Sequence, residues 1–196
     1  VTKFYRPNRW TKAQIEEELA FAIELEGNEL PVVAPLLRKG QSLFEHQGFH
    51  FSVYPCRGGR IFEVDKLEQL EWMGRFVGRI HSIGAKTSFE HRPSLNQQEF
   101  LVDARETIAT AEFVPMHLET PFFTILDQVV DLAREHHVES DYIRLHGDCH
   151  AGNILWTDDG PHFVDLDDCR MGPAIQDIWM MLSGDRQQQL LQLDTI

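Results

Sequence analysis

The stretch RLHGDCHAGNILW, Arg144 to Trp156, crowds an aspartate, two histidines, a cysteine and an asparagine into eight positions. Such side chains could form a transition-metal cage, a nucleophile site, a phosphate-transfer loop or simply a polar turn. The residues downstream narrow the choice. Ile154-Leu155-Trp156 reads as a short apolar strand, Thr157-Asp158-Asp159-Gly160 as a turn, and His162 to Leu166 as a second strand. With the turn centred on Asp158-Asp159, Asn153 falls opposite Val164 or, after a shift of one, Asp165. Asp148 lies five residues before Asn153. Three oxygen-bearing side chains are therefore expected at one end of a hairpin.

Two carboxylates and an amide oxygen are hard ligands, suited to Mg²⁺ rather than Zn²⁺. Carboxylates about 4 Å apart repel by roughly 4 kcal/mol at an effective dielectric near 20, and a divalent cation turns that cost into attraction. Mg²⁺ takes few protein ligands and leaves positions for substrate phosphates. The pattern suits phosphoryl transfer, with Asn153 and Asp165 holding metal and Asp148 accepting the proton of an attacking hydroxyl. Such base assistance is typically worth about 10²–10⁴ in rate. A cage of His146, Cys149 and His150 is the weaker reading, because adjacent residues seldom all face one ion and no second Cys/His cluster follows. Asp158 and Asp159 read as plain turn residues and His146 as a structural hydrogen-bonder. On an alternating strand Asp167 would share a face with Asp165, near the metal, with a solvated or capping role the alternative.

The elements that must position these residues come in two textures. Val1 to Tyr5 is a β-rich strand, and Thr11 with Gln14 makes a capping box for a helix carrying Ile15, Leu19, Ala22 and Ile23 up to Gly27. SLFEHQGFHFSVYP reads as two strands around His46-Gln47-Gly48. Beyond the break at Gly58-Gly59, Leu67, Leu70, Met73, Val77 and Ile80 share a helical face ended by Gly84. Gln97 to Glu112 is a weaker helix, and Thr120-Pro121 opens another with Phe122, Ile125, Val129 and Leu132. The expected fold class is α+β in two lobes: 1–56, strand-rich with one helix, and 57–196, mainly helical and carrying the polar loop.

Composition sets the boundaries. The 196 residues are 42% hydrophobic and 25% charged, ordinary globular values, with 31 acidic against 18 basic residues and a formal charge of −13. That balance argues against nucleic acid as a partner. No run approaches the roughly 18 apolar residues of a membrane span, so no membrane partner is expected. Cys56, Cys149 and Cys169, odd in number and without a CxxC pair, read as reduced thiols of a cytoplasmic protein. A monomer is the default.

HGDCHAGNILW followed by FVDLDD resembles the HGDxxxxN signature of the aminoglycoside-phosphotransferase-like kinases, a branch of the protein-kinase-like fold. KFYRPNRW and GPAIQDIWMML extend the likeness over essentially all of residues 1–196, toward the bacterial stress-response serine/threonine kinases of that family. The resemblance implies ATP and Mg²⁺ as cofactors and a protein serine or threonine hydroxyl as acceptor. It implies Asp148 as catalytic base and Asn153 and Asp165 as metal ligands, Asp165 thereby also counting as catalytic. It further implies that Lys3 is the strand lysine reaching the nucleotide phosphates, paired with an acid of the first helix. Glu18 fits that acid best, with Glu17 a near rival; without the resemblance, Glu16-Glu17-Glu18 reads as a solvated face. SVYPCRGGR resembles the segment between lobes that meets the adenine, and Asp177 matches an aspartate bracing the catalytic loop. VGRIHSIG around His81 echoes a recurrent helix pattern whose simplest reason is core packing.

Family members place a strand pair before the lysine strand and further helices at the far end, whereas only two residues precede Lys3 here. The expectation is a piece of a longer protein, binding ATP weakly or not at all on its own. Two alternatives stay open. One is a kinase for small hydroxyl compounds such as aminoglycosides, choline or homoserine. The other is a non-catalytic binding module, which need not have kept Lys3, Asp148, Asn153 and Asp165 together.

Overall fold

In the computed structural model, which describes residues 1–196, strand β1 (Thr2–Phe4) opens the chain. Thr11 then caps helix α1 (Lys12–Gly27) through both halves of the expected capping box with Gln14. Helix α1 buries Ile15, Leu19, Phe21, Ala22 and Leu25, and with them the carboxylate residue Glu18. Strands β2 (Phe44–His46) and β3 (Phe49–Val53) form the predicted hairpin. Its turn residues Gln47 and Gly48 both have positive φ, 51° and 80°, the pairing that matches the twist of a two-residue hairpin. Strand β1 adds antiparallel to β3, with Lys3 opposite Ser52, so the sheet order is β1-β3-β2.

Strand β4 (Arg60–Ile61) follows the Gly58-Gly59 break, and α2 (Leu67–Gly84) buries Leu70, Met73, Val77 and Ile80 on the expected face. Gly84 does more than end the helix. A Cβ there would lie 2.1 Å from the Arg144 carbonyl oxygen, so only glycine lets α2 approach the strand that leads into the polar loop.

The backbone groups into two compact units, Val1–Pro93 with Tyr142–Ile196, and Ser94–Asp141. In the second unit the weak helix expected over Gln97–Glu112 is a π-helical turn, Gln98–Asp103, continuing into α3 (Ala104–Thr110). Helix α4 (Met116–Glu135) starts earlier than expected, because Pro115 serves as its cap and Pro121 lies inside it. Proline's fixed φ is helical, and the cost is the one backbone hydrogen bond its nitrogen cannot donate. Phe122, Ile125, Val129 and Leu132 are exposed, and Val130 is the buried residue of this helix.

The chain returns to the first unit as β5 (Ile143–Leu145). The polar loop and a 3₁₀ turn, Ala151–Asn153, lead into β6 (Ile154–Thr157) and β7 (Gly160–Phe163). Ile154 faces Phe163, and Val164 N donates to Asn153 O at 3.0 Å, the unshifted of the two registers considered. Strand β7 ends at Phe163 rather than at Leu166. Asp165 takes a left-handed conformation (φ 60°, ψ 63°), and Leu166–Asp168 form a 3₁₀ turn. Strand β8 (Arg170–Gly172) pairs antiparallel with β5, and short helices α5 (Ile175–Trp179) and α6 (Arg186–Thr195) follow. One apolar cluster joins α1, α2 and the β6–β7 hairpin through Phe21, Leu25, Met73, Ile80, Ile154 and Phe163.

Candidate active site

The loop carrying Asp148 is fixed from behind. Asp177, buried at the head of α5, accepts from His146 N at 3.0 Å and Gly147 N at 2.8 Å. The expected bracing geometry is present. Gly147 sits at φ 84°, and a Cβ on it would meet the Asp168 carbonyl oxygen at 2.1 Å, so neither its conformation nor its space admits a side chain. His81, expected to be a packing residue, instead places Nε2 3.1 Å from Asp177 Oδ2. Helical spacing puts His81 on the inward side of α2 but says nothing of the carboxylate it meets 96 residues later.

Both histidines of the loop accept a backbone N–H on Nδ1. His146 is buried; its Nδ1 accepts from Asp148 N at 3.4 Å, so the proton belongs on Nε2, which donates to Val164 O at 3.0 Å. His150 Nδ1 accepts from Gly152 N at 2.9 Å. Burial, with Asp177 and Asp148 nearby, holds the Cys149 thiol well above its ordinary pKa. No group of three His, Cys, Asp or Glu side chains is arranged to share a metal ion, so the cage reading has no geometry behind it.

Asn153 leaves the 3₁₀ turn with its Nδ2 donating to Asp148 O at 2.9 Å and to Asp148 Oδ2 at 3.1 Å. That orientation leaves its Oδ1 available to a cation. Asp165 stands one residue beyond Asn153's strand partner, half exposed. A left-handed backbone at a non-glycine residue costs of order 1–3 kcal/mol and recurs at functional sites. Here it turns the carboxylate out of the hairpin. An amide oxygen and a carboxylate are the donor types that fit a hard divalent ion.

Lys3 closes the site from the first sheet. Its Nζ lies 3.0 Å from Glu18 Oε1, 3.2 Å from Asp165 Oδ1 and 3.1 Å from Asp167 Oδ1. Burial works against the ammonium, but Glu18, Asp167, Tyr54 and Asp165 outweigh it and hold its pKa above the ordinary lysine value. For Glu18 burial dominates and pushes the carboxyl up, against the pull of Lys3. The rival Glu17 points elsewhere: it accepts from the backbone nitrogens of Glu90, His91 and Arg92 at 2.6–3.1 Å. Tyr5 adds a hydroxyl 3.4 Å from Glu18 Oε1.

A cavity of about 330 Å³ opens beside this cluster, lined by Lys3, Glu18, Tyr54, Arg57, Leu155 and Asp165 among others. Its size is within the usual range for small-molecule sites. Tyr54, Pro55 and Arg57, from the SVYPCRGGR segment, form part of its wall.

Sequence reasoning left Asp167 undecided and missed Arg9 and Arg92. Asp167 bridges Lys3 and Arg9, with Arg9 Nη1 2.7 Å from Asp167 Oδ2, although it lies on a 3₁₀ turn and not on the alternating strand that would have paired it with Asp165. Arg9 also reaches Asp168 at 2.9 Å. Arg92 donates to the carbonyls of Cys169, at 2.7 Å, and Asp167. For the two arginines KFYRPNRW was the only hint, and it marks Arg9 without revealing its partner.

A small sheet whose lysine meets a helix carboxylate, set over a loop and hairpin bearing Asp148, Asn153 and Asp165, is a kinase-like α+β fold. The chain belongs to the phosphotransferase enzyme family, whose model matches residues 1–196. Over its whole length it is 51% identical to stress response kinase A of Shigella flexneri and 50% identical to that of Escherichia coli K12. It is 48% identical to the serine/threonine protein kinase RdoA of Salmonella typhimurium. It spans 60% of the length of each. Among solved structures it resembles an amicoumacin kinase bound to AMP-PNP, Ca²⁺ and Ami (TM-score 0.73, 21% identity, 92% of this chain and 55% of that one). A microcompartment-associated aminopropanol kinase superimposes with a TM-score of 0.72 at 19% identity, covering 99% of this chain and 67% of that one. No helix is long and apolar enough to cross a membrane.

Proposed function

We propose that the protein of which this chain is part is an ATP- and Mg²⁺-dependent phosphotransferase acting on serine or threonine hydroxyls of proteins. The observation that carries the reading is the meeting of Lys3 with both Glu18 and Asp165 at one wall of the cavity. Lys3, steadied by Glu18, orients nucleotide phosphates. Asn153 and Asp165 hold Mg²⁺, which supplies charge neutralisation for the transferring phosphoryl group. Asp148 takes the proton of the acceptor hydroxyl while Asn153 Nδ2 fixes its Oδ2. Residues 1–56 act as the nucleotide-facing lobe and 57–196 as the lobe carrying the chemistry. The protein works in the cytoplasm as a monomer, in a stress response; the names of the 48–51% identical relatives support that choice of process and acceptor.

A second reading has its own support. The structural neighbours include kinases of small compounds, among them spectinomycin phosphotransferase in complex with ADP and spectinomycin. The site chemistry serves either acceptor. The deciding experiment gives full-length protein labelled ATP and Mg²⁺ with a generic basic protein, and in parallel with aminoglycosides and choline. Label in protein, lost in Asp148→Asn and Asp165→Ala, supports the first reading. Label in the small compounds alone supports the second, and label in neither defeats both.

A further inference from the structure

Lys3, Glu18 and Asp165 come from three separate elements, and salt bridges through a single ammonium are a thin means of keeping them in register. A second connection runs behind them. Glu17, the neighbour of Glu18 on α1, gathers the backbone nitrogens of Glu90, His91 and Arg92 on its carboxylate. Gln14, one turn earlier, donates to His91 O at 3.0 Å. From that anchored segment the Arg92 side chain, itself buried, passes under the Trp10 ring at 4.1 Å and donates to the carbonyls of Cys169 and Asp167. One of those carbonyls lies within the 3₁₀ turn that Asp165 caps, and the other directly follows it. Helix α1, the 90–92 segment and the Asp165 turn are thus linked in series by hydrogen bonds to charged groups, the stronger kind.

Arg92 also bears on Glu18 directly. Arg92 Nη1 and Glu18 Oε2 are both buried without a hydrogen-bond partner, and the arginine's charge lowers the Glu18 carboxyl against the upward push of burial.

We propose that Glu17 and Arg92 are positioning residues which hold the Lys3–Glu18 pair and Asp165 in one fixed arrangement for the metal–nucleotide complex. This rests on the phosphotransfer reading above. Neither residue lines the cavity, so both act through others. Asp148 has a separate brace in Asp177, so the acceptor side depends less on the strut than the nucleotide side does.

The test uses full-length protein and the variants Glu17→Gln, Arg92→Lys and Arg92→Met, with thermal melting, calorimetric titration with ATP with and without Mg²⁺, and steady-state kinetics. Groups that orient ligands typically cost 10- to 100-fold when changed, so the MgATP dissociation constant and KM should rise by about that factor in Arg92→Lys, which keeps the charge and loses the fork. Glu17→Gln should move the same way. Acceptor KM should stay at the wild-type value in both, a split that general loosening of the fold would not produce. Cooperatively melting Arg92→Lys or Glu17→Gln protein that binds MgATP as tightly as wild type overturns the proposal and leaves the phosphotransfer reading standing. Wild-type protein that binds no MgATP overturns both. Should Arg92→Met fail to fold, the two conservative variants decide.

Discussion

Lys3 and Asp165, 162 positions apart, meet at 3.2 Å. The lysine simultaneously holds Glu18, which is almost wholly buried. A buried carboxylate left without its partner costs about 3–5 kcal/mol. Lys3→Met should therefore lower unfolding stability by about that amount, besides weakening nucleotide binding. Lys3→Met with Glu18→Gln should recover most of the stability and none of the binding. Urea denaturation and ATP titration of the single and double variants separate the two effects.

Asp148→Asn keeps the shape of the side chain and removes its basicity. In full-length protein it should lower turnover by about 10²–10⁴ while ATP affinity stays near wild type. Asp165→Ala should instead abolish the Mg²⁺ dependence of nucleotide binding. Calorimetry beside a transfer assay distinguishes the pair, and Asp148→Asn turning over at the wild-type rate would remove it as the base.

Asp177 accepts from two successive backbone nitrogens and contacts His81. Asp177→Asn must turn an amide NH₂ toward one of those donors, stranding it at a cost of about 1–3 kcal/mol. The melting temperature should fall, and activity should fall further than stability does, because Asp148 follows directly on Gly147.

Two glycines of α2 should respond in opposite senses. Gly84→Ala drives a methyl into the Arg144 carbonyl and should destabilise by about 1–3 kcal/mol. A Cβ at Gly78 meets nothing within 4 Å, and Gly78→Ala should stabilise by up to about 1 kcal/mol through helix propensity alone. Equal effects in thermal melts would contradict the packing described.

Alkaline conditions should unfold the protein early. Burial pushes the Cys169 thiol up to about 12 and the Tyr54 hydroxyl up to about 12, while Lys3 is held above its ordinary value. Each group keeps in the folded state a proton that the unfolded chain gives up sooner. Stability is complete below the ordinary thiol value of 9.0 and falls as pH rises past it, by as much as about 1.4 kcal/mol per pH unit per group. Denaturation midpoints measured from pH 7.5 to 11 should decline from near pH 9, and the decline should be shallower in Cys169→Ala, where the buried Cys149 thiol still contributes. A flat profile would refute it.

What could be read in advance tracks the range of each interaction. The Thr11–Gln14 capping box and the Gln47-Gly48 turn depend on residues close in sequence, and the structure reproduces them; for the β6–β7 hairpin it takes the Asn153–Val164 register, one of the two that the sequence allowed. Periodicity also gave the buried face of α2. It failed for α4, where apolar spacing at Phe122, Ile125 and Val129 carries no information about whether a partner surface covers it. Of the site, the spacing of Asp148, Asn153 and Asp165 was legible because one loop and one hairpin hold all three. Choosing Glu18 over Glu17 leaned on resemblance, and Arg9 and Arg92 stayed hidden because their partners lie 159 and 75–77 positions away.

The left-handed backbone at Asp165 narrows what mutation can put there. Glycine and asparagine tolerate those angles, whereas valine, isoleucine or threonine would strain the hairpin's exit before any question of chemistry arose. The position is screened twice, by shape and then by charge. Random drift there should accordingly yield chiefly folded but silent Gly and Asn descendants, with β-branched replacements lost at the folding step.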